Sequence, residues 1–184
     1  MRDFRRLGPV INMRLTDYEA TLLESLVEQF CGLLEADAEA VDHADPFARW
    51  QAELDGGEPL DRTDPVIVRL FPDAYPEDPI GSEEFRRLTQ SRQRAERLNQ
   101  AEIVMSALRD SDAGKHPVQV RVIDLPSWLK TLTAVRLSLA VRLEIRTSED
   151  ADDLDELPET DPKAYVYRVY EWVAYLTENI LALA

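Results

Sequence analysis

The sequence predicts a mainly α-helical protein: a helical bundle of about six helices, four long and two short, with a small two- or three-stranded β element. Three patterns predict this class. Apolar residues recur at intervals of three and four over long segments, which is typical of helices that face a core. The dipeptide Asp-Pro stands before four of the helical segments, where the aspartate can cap a helix and the proline fits its first turn. Short runs of alternating apolar residues predict the strands.

The strands come from two parts of the chain. Residues 4–7 and 10–15 alternate weakly around a Gly-Pro pair, which predicts a short hairpin or two edge strands. Residues 118–123 alternate more clearly. The run Met13 to Asp17 resembles the run Val120 to Asp124, and each precedes a long helix. We therefore expect these two strands to lie beside each other.

The first half of the chain predicts one long and two short helices. Thr16 or Asp17 can cap the long helix, which ends at an acidic segment over about residues 35–64. That segment is predicted to be mostly loop. Asp-Pro pairs predict a short helix over about 46–54 and another over 65–71.

The longest predicted helix begins at Asp78-Pro79 and runs to about Leu108. Its middle is polar, and its arginines make it the one locally basic element of the chain. The apolar stripe that we expect to be buried consists of Phe85, Leu88, Ala95, Leu98, Ala101, Met105 and Leu108.

The second half of the chain continues with a helix that starts at Asp124 and is apolar almost all round, which places it at the centre of the bundle. Residues 149–161 hold eight acids in 13 positions and are predicted to be a solvated loop. The last helix begins at Asp161-Pro162. We expect it to pack against the helix that carries Trp128, with its outer tyrosines as candidates for a dimer or partner surface.

Composition indicates one domain over residues 1–184 with a sizeable core. No apolar run approaches the ~20 residues that a membrane span needs. The N-terminus lacks the apolar centre of a secretory signal, so we expect a cytoplasmic protein. The net charge of −15 disfavours general binding to nucleic acid, whose phosphates require local cations.

The residue types that commonly carry chemistry are scarce. Cys31 is the one cysteine, so an intramolecular disulfide switch is excluded within this sequence, and its apolar helical setting predicts a buried, inert thiol. His43 and His116 lie far apart in predicted loops, without the spacing of a metal site. No nucleophile elbow, phosphate loop, dinucleotide fingerprint or zinc signature occurs. We therefore expect no cofactor, no metal and no enzymatic activity.

Two arginines stand out because they lie on the most apolar helix. Arg136 and Arg142 must be paired or must reach water there. One interpretation is a structural charge pair with an acid of the last helix, Glu171 or Glu178. The other is that they anchor a ligand, in which case a cleft beside Arg136 would be the site of an uncharacterised enzyme.

Four arginines of the longest helix, Arg86, Arg87, Arg94 and Arg97, allow three interpretations. They can pair with acids of the same domain, contact a partner protein or contact phosphate groups. Pairing within the domain fits the excess of negative charge. The acidity of the chain makes direct contact with nucleic acid doubtful.

Several runs resemble an actinobacterial family of a domain of unknown function whose members are associated with oxidative-stress transcriptional regulation of the AosR type. The runs are Arg69 to Tyr75, Glu84 to Thr89, Trp128-Leu129, Arg136-Leu137, Arg142-Leu143, Tyr170 to Trp172 and Glu178. The resemblance implies a small cytoplasmic regulator that senses redox state and acts with an alternative sigma factor. The family is often found beside the adaptor of the Clp protease.

The resemblance and the basic helix together predict a non-enzymatic regulator that binds a sigma factor or RNA polymerase. An accessory role in Clp proteolysis is the alternative. The predicted contact residues lie on the basic helix and on the proline-rich elbow before it: Phe71, Asp73, Tyr75, Arg86, Arg87, Arg94 and Arg97.

Overall fold

A computed structural model describes residues 4–35 and 60–184. Within these ranges the protein is mainly α-helical, with six α-helices and one small antiparallel sheet. The elements in chain order are β1 (Phe4–Leu7), β2 (Val10–Met13), α1 (Asp17–Glu35), α2 (Pro65–Leu70), α3 (Pro79–Asp110), β3 (Val118–Arg121), a short 3-10 turn (Val122–Asp124), α4 (Leu125–Arg142), α5 (Ser148–Asp155) and α6 (Pro162–Ala182). The predicted fold class is confirmed.

The sheet has the strand order β1-β2-β3, and both pairings are antiparallel. Ile11 pairs with Val120 and Met13 with Val118, and all four side chains are buried. The expectation that these two strands lie side by side is therefore confirmed. One face of the sheet joins the main core, because side chains on a strand alternate between its two faces.

Three of the Asp-Pro helix starts are confirmed in the described residues. Asp64 Oδ1 accepts a hydrogen bond from the Val66 amide at 2.8 Å. Asp78 caps α3 and Asp161 caps α6 in the same way. Each cap satisfies an amide that the first helical turn leaves unpaired. The fourth Asp-Pro pair, with the helix predicted over 46–54, lies outside the described residues.

Helix α4 is the central element, as its apolar composition predicts. It contacts α1, α2, α3 and α6. Trp128, Leu132 and Val135 are among its buried residues. The last helix packs against α4, which confirms the predicted pairing of these two helices.

The prediction of a loop over residues 149–161 is wrong for the first part of that segment. Ser148–Asp155 forms α5, which begins with a reciprocal capping box between Thr147 and Asp150. Leu154 is buried in a small cluster with Leu143 and Tyr167. Leu154 and the half-buried Ala151 pack this short helix against that cluster, while most of its acids remain in solvent.

Candidate partner-binding surface

Residues 71–78 overlap the run that resembles the family. They follow α2 and turn back along the start of α3. We call this segment the elbow. The hydroxyl of Ser82 on α3 makes two hydrogen bonds with the backbone of Tyr75. It accepts one from the Tyr75 amide at 3.0 Å and donates one to the Tyr75 carbonyl at 2.8 Å. Ser82 is 1% exposed, so this anchor is shielded from water. The elbow is therefore fixed to the helix that follows it.

Three arginines hold the start of the elbow. Arg62 donates to the Phe71 carbonyl at 2.9 Å and to the Asp73 carboxylate at 3.0 Å. Arg86 binds the same carboxylate oxygen from α3. Arg97 donates to the Leu70 carbonyl at 2.9 Å. Its guanidinium lies over the Phe71 ring, 5.0 Å from the ring centre.

Four of the seven predicted contact residues thus make internal contacts. Phe71 is only 4% exposed. Asp73 and Arg86 bind each other, and burial lowers the pKa of the Arg97 guanidinium from its ordinary value. Of the three interpretations of the arginines, contact within the domain therefore applies to Arg86 and Arg97. Arg62 was missed, because nothing local marks a cation that acts nine or eleven residues away.

The other three predicted residues are at least partly accessible: Tyr75 and Arg87 are exposed and Arg94 is half-buried. Tyr75 is 52% exposed and packs edge-on against the Phe85 ring, with ring centres 6.0 Å apart. Arg87 is exposed and Arg94 is half-buried, and neither has an ion pair with any other residue that the structure describes. They remain candidates for contact with a partner.

The predicted buried stripe of α3 is wrong over its first half. Phe85 and Leu88 are exposed, and Ile80, which sequence reasoning missed, is 80% exposed. Ala101, Met105 and Leu108 in the second half are buried as predicted. The reason is positional: the second half of the helix belongs to the main core, whereas the elbow covers one side of the first half.

The exposed side of the first half of α3 therefore combines large apolar groups with cations. Ile80, Arg87 and Arg94 are seven residues apart, so they lie close to one line along the helix. Leu88, which is 70% exposed, flanks that line. We call this the arm surface, and its members are Ile80, Arg87, Leu88 and Arg94. Tyr75 and Phe85 pack together on a different side of the helix, because Phe85 and Arg94 are nine residues and therefore about 180° apart around it. A cluster of exposed apolar groups rimmed by charge is typical of a protein-binding surface.

The predicted charge pairs with the last helix are corrected by the structure. Arg142 binds Asp64 at 2.6 Å, where the carboxylate also caps α2. Arg136 lies over the Tyr170 ring, with its guanidinium carbon 4.6 Å from the ring centre. Glu171 and Glu178 are exposed on α6 and pair with neither arginine. Arg136 therefore contacts an aromatic ring, and Arg142 contacts the acid that caps α2, instead of the predicted acids of α6.

Cys31 is half-buried rather than buried as predicted, and its setting is unreactive. Burial raises the pKa of its thiol to about 11, and the nearby carboxylates of Glu35, Glu102 and Glu28 add to the rise. A thiol is nucleophilic only as thiolate, so this setting suppresses reaction at neutral pH. Among the described residues, no group of His, Cys, Asp or Glu side chains could hold a metal ion. In the same ranges, none of the helices has the length and apolar character to cross a membrane.

Comparison with known proteins gives one family and several relatives. A family model described as a domain of unknown function, DUF2017, matches residues 1–184. The chain is 28% identical over 190 residues to the oxidative stress regulator AosR of Mycobacterium bovis, an alignment that covers 96% of this chain and 83% of the relative. The same values hold for the oxidative stress regulators AosR of two Mycobacterium tuberculosis strains. No solved structure matches this chain.

Proposed function

This chain belongs to the DUF2017 family, and we propose that it is a non-enzymatic regulator that acts through contacts with the transcription machinery, a sigma factor or RNA polymerase. Relatives named as oxidative stress regulators support the regulatory role. The arm surface carries the proposal at the level of residues. It offers the exposed apolar side chains of Ile80 and Leu88 beside two cations without a described partner.

The charge of the chain favours a protein partner over DNA. Binding to duplex DNA requires several Lys or Arg side chains that displace counterions from phosphates. The arm surface contributes only Arg87 and Arg94 in a chain of net charge −15. Exposed apolar groups also add little to contact with a phosphate backbone, whereas they are central to protein interfaces.

Oxidant sensing through the thiol of this chain does not fit its chemistry. Cys31 is the single cysteine of the sequence, and its thiol stays protonated far above neutral pH. A regulatory signal would then come from the partner, or from a change in the amount of this protein, rather than from a switch within the domain.

The experiment is a binding measurement with purified components. RNA polymerase core, alternative sigma factor and their holoenzyme are each immobilised after nuclease treatment, and the chain is applied as wild type or variant. Ile80→Glu is expected to weaken binding about tenfold or more, because a charge replaces an exposed apolar contact. The matched control is Ile123→Glu, since Ile123 is 81% exposed and lies outside the arm surface.

A second variant tests the cations while leaving the elbow intact. Arg87→Glu with Arg94→Glu removes the free charges but spares Arg86 and Arg97, which hold the elbow. Reversal of Arg168, which is exposed on α6, is the control. Equal binding by all variants would contradict the arm surface assignment. Binding to Clp components and to none of the polymerase proteins would instead favour the accessory role in proteolysis.

A further inference from the structure

A groove beside the elbow has the features of a second recognition site. It lies between the end of α2, the middle of α3 and one side of α4, and its volume is about 590 Å³. Its floor is aliphatic: Leu129 and Leu137 of α4 are half-buried there, next to Leu70. This volume is within the range of sites that hold a small ligand or a few side chains.

The rim of the groove is cationic on an otherwise acidic molecule. Arg69, Arg97 and Lys130 line it together with one acid, Glu96. Glu96 and Lys130 form an ion pair with each other at 3.1 Å, and Gln100 also donates to the Glu96 carboxylate at 2.9 Å, so the two remaining cations of the lining are Arg69 and Arg97. The lining therefore carries an excess of positive charge, whereas the chain as a whole carries −15.

Arg97 points to the kind of group that the groove can accept. Its guanidinium makes one described hydrogen bond, to the backbone carbonyl of Leu70, and stacks on Phe71. It has no carboxylate partner in the part of the chain that the structure describes. A guanidinium has five N–H donors, so donors remain for a carboxylate that enters the groove.

We propose that this groove docks an acidic peptide segment of the partner, with one or two apolar side chains on the aliphatic floor and carboxylates on the cationic rim. The inference rests on the proposed function in one respect, that the partner is a protein. A single-stranded nucleic acid fits less well, because its bases need aromatic rings to stack on and the floor offers aliphatic side chains. The Phe71 ring beside the groove is covered by Arg97.

The test uses a fluorescein-labelled peptide of about twelve residues, rich in Asp and Glu with two Leu and one Phe, read by fluorescence anisotropy against the full chain. Two further peptides serve as probes: one with Asn and Gln in place of the acids, and one with Ser in place of the apolar residues. An oligothymidine probe tests the nucleic-acid alternative. The acidic peptide with apolar residues is expected to bind tightest, and rising salt is expected to weaken it.

Matched variants locate the binding. Lys130→Glu and Arg69→Glu reverse the rim and are expected to weaken the acidic peptide about tenfold together, since each replaces an attraction with a repulsion. Lys115→Glu and Arg109→Glu are the controls, because Lys115 and Arg109 are exposed and ion-paired elsewhere on the surface. The controls are expected to stay within about twofold of wild type.

The outcomes separate this inference from the proposed function. Equal weakening by rim and control variants, equal affinity for the uncharged peptide, or tighter binding of oligothymidine would overturn the groove assignment. If the rim variants lose the peptide but the wild type binds no polymerase protein, the peptide site stands and the proposed function fails. If polymerase binding is intact in the rim variants and no peptide binds, the groove inference fails and the proposed function stands.

Discussion

The two halves of α3 have opposite surroundings although they form one uninterrupted helix. Residues from Ala101 onward pack against α1 and α4, with Val104 and Leu108 almost fully buried. Before that point the elbow and α4 cover one side of the helix, and Ile80 and Leu88 face solvent. The second half of α3 therefore stabilises the fold, whereas the first half exposes apolar side chains that are not part of the core.

The largest expected effect is the loss of stability when the buried half is truncated. Leu108→Ala removes a side chain that is 2% exposed, and such changes lower the free energy of unfolding by roughly 2–5 kcal/mol. Leu88→Ala in the exposed half is expected to change it by about 0.5 kcal/mol or less. Urea unfolding of both variants measures the difference. Similar losses in the two variants would mean that the first half is also a packed element.

The elbow is expected to show an intermediate effect. Arg97→Met removes a hydrogen bond to the Leu70 carbonyl and the contact over Phe71, which should cost about 1–2 kcal/mol of unfolding free energy. Arg94→Met is the matched control in the same helix, and we expect no measurable loss. Equal stability of the two variants would show that the contacts of Arg97 do not hold the elbow.

A smaller and more local effect is expected at the start of α3. Asp78→Ala removes the carboxylate that accepts from the Gly81 amide at 2.9 Å, a cap worth about 1 kcal/mol. Because the first half of α3 has few packing partners, the loss should appear as faster amide exchange over the first turns. Exchange in the second half of the helix should stay at the wild-type rate. Faster amide exchange along the whole of α3 would contradict the expectation that the two halves open separately.

The comparison also separates what the sequence could predict from what it could not. The Asp-Pro caps were predictable because a cap depends on neighbours two or three residues away. The apolar periodicity of α3 predicted burial correctly only in the half that packs in the core. An exposed apolar stripe has the same spacing as a buried one, so the sequence could not distinguish them. Leu88 therefore looked like Leu108 in the sequence.

The choice of acid for a distant cation lay beyond sequence reasoning. Arg142 meets Asp64 across 78 residues, and no local pattern distinguishes that acid from Glu171 or Glu178. The helix α5 was hidden by its composition, because the eight acids of the segment 149–161 outweighed its two leucines, Leu154 and Leu157. For the candidate site, the sequence singled out the basic helix and the elbow, but the division between residues that hold the elbow and residues that do not required the structure.

The smallest expected effect concerns the thiol that faces the buried half of α3. Burial, then Glu35 and Glu102, raise the pKa of Cys31 to about 11, so the native state favours the protonated thiol. The resulting stabilisation is fully present below the thiol's ordinary pKa and is lost as pH rises from about 9 to about 11. Alkylation by iodoacetamide should therefore be slow at neutral pH and should rise with a midpoint near 11. Rapid alkylation at pH 7 in the folded protein would support Cys31 as an oxidant sensor. Slow alkylation would instead leave the arm surface on the first half of α3 as the part of the molecule through which we expect regulation to act.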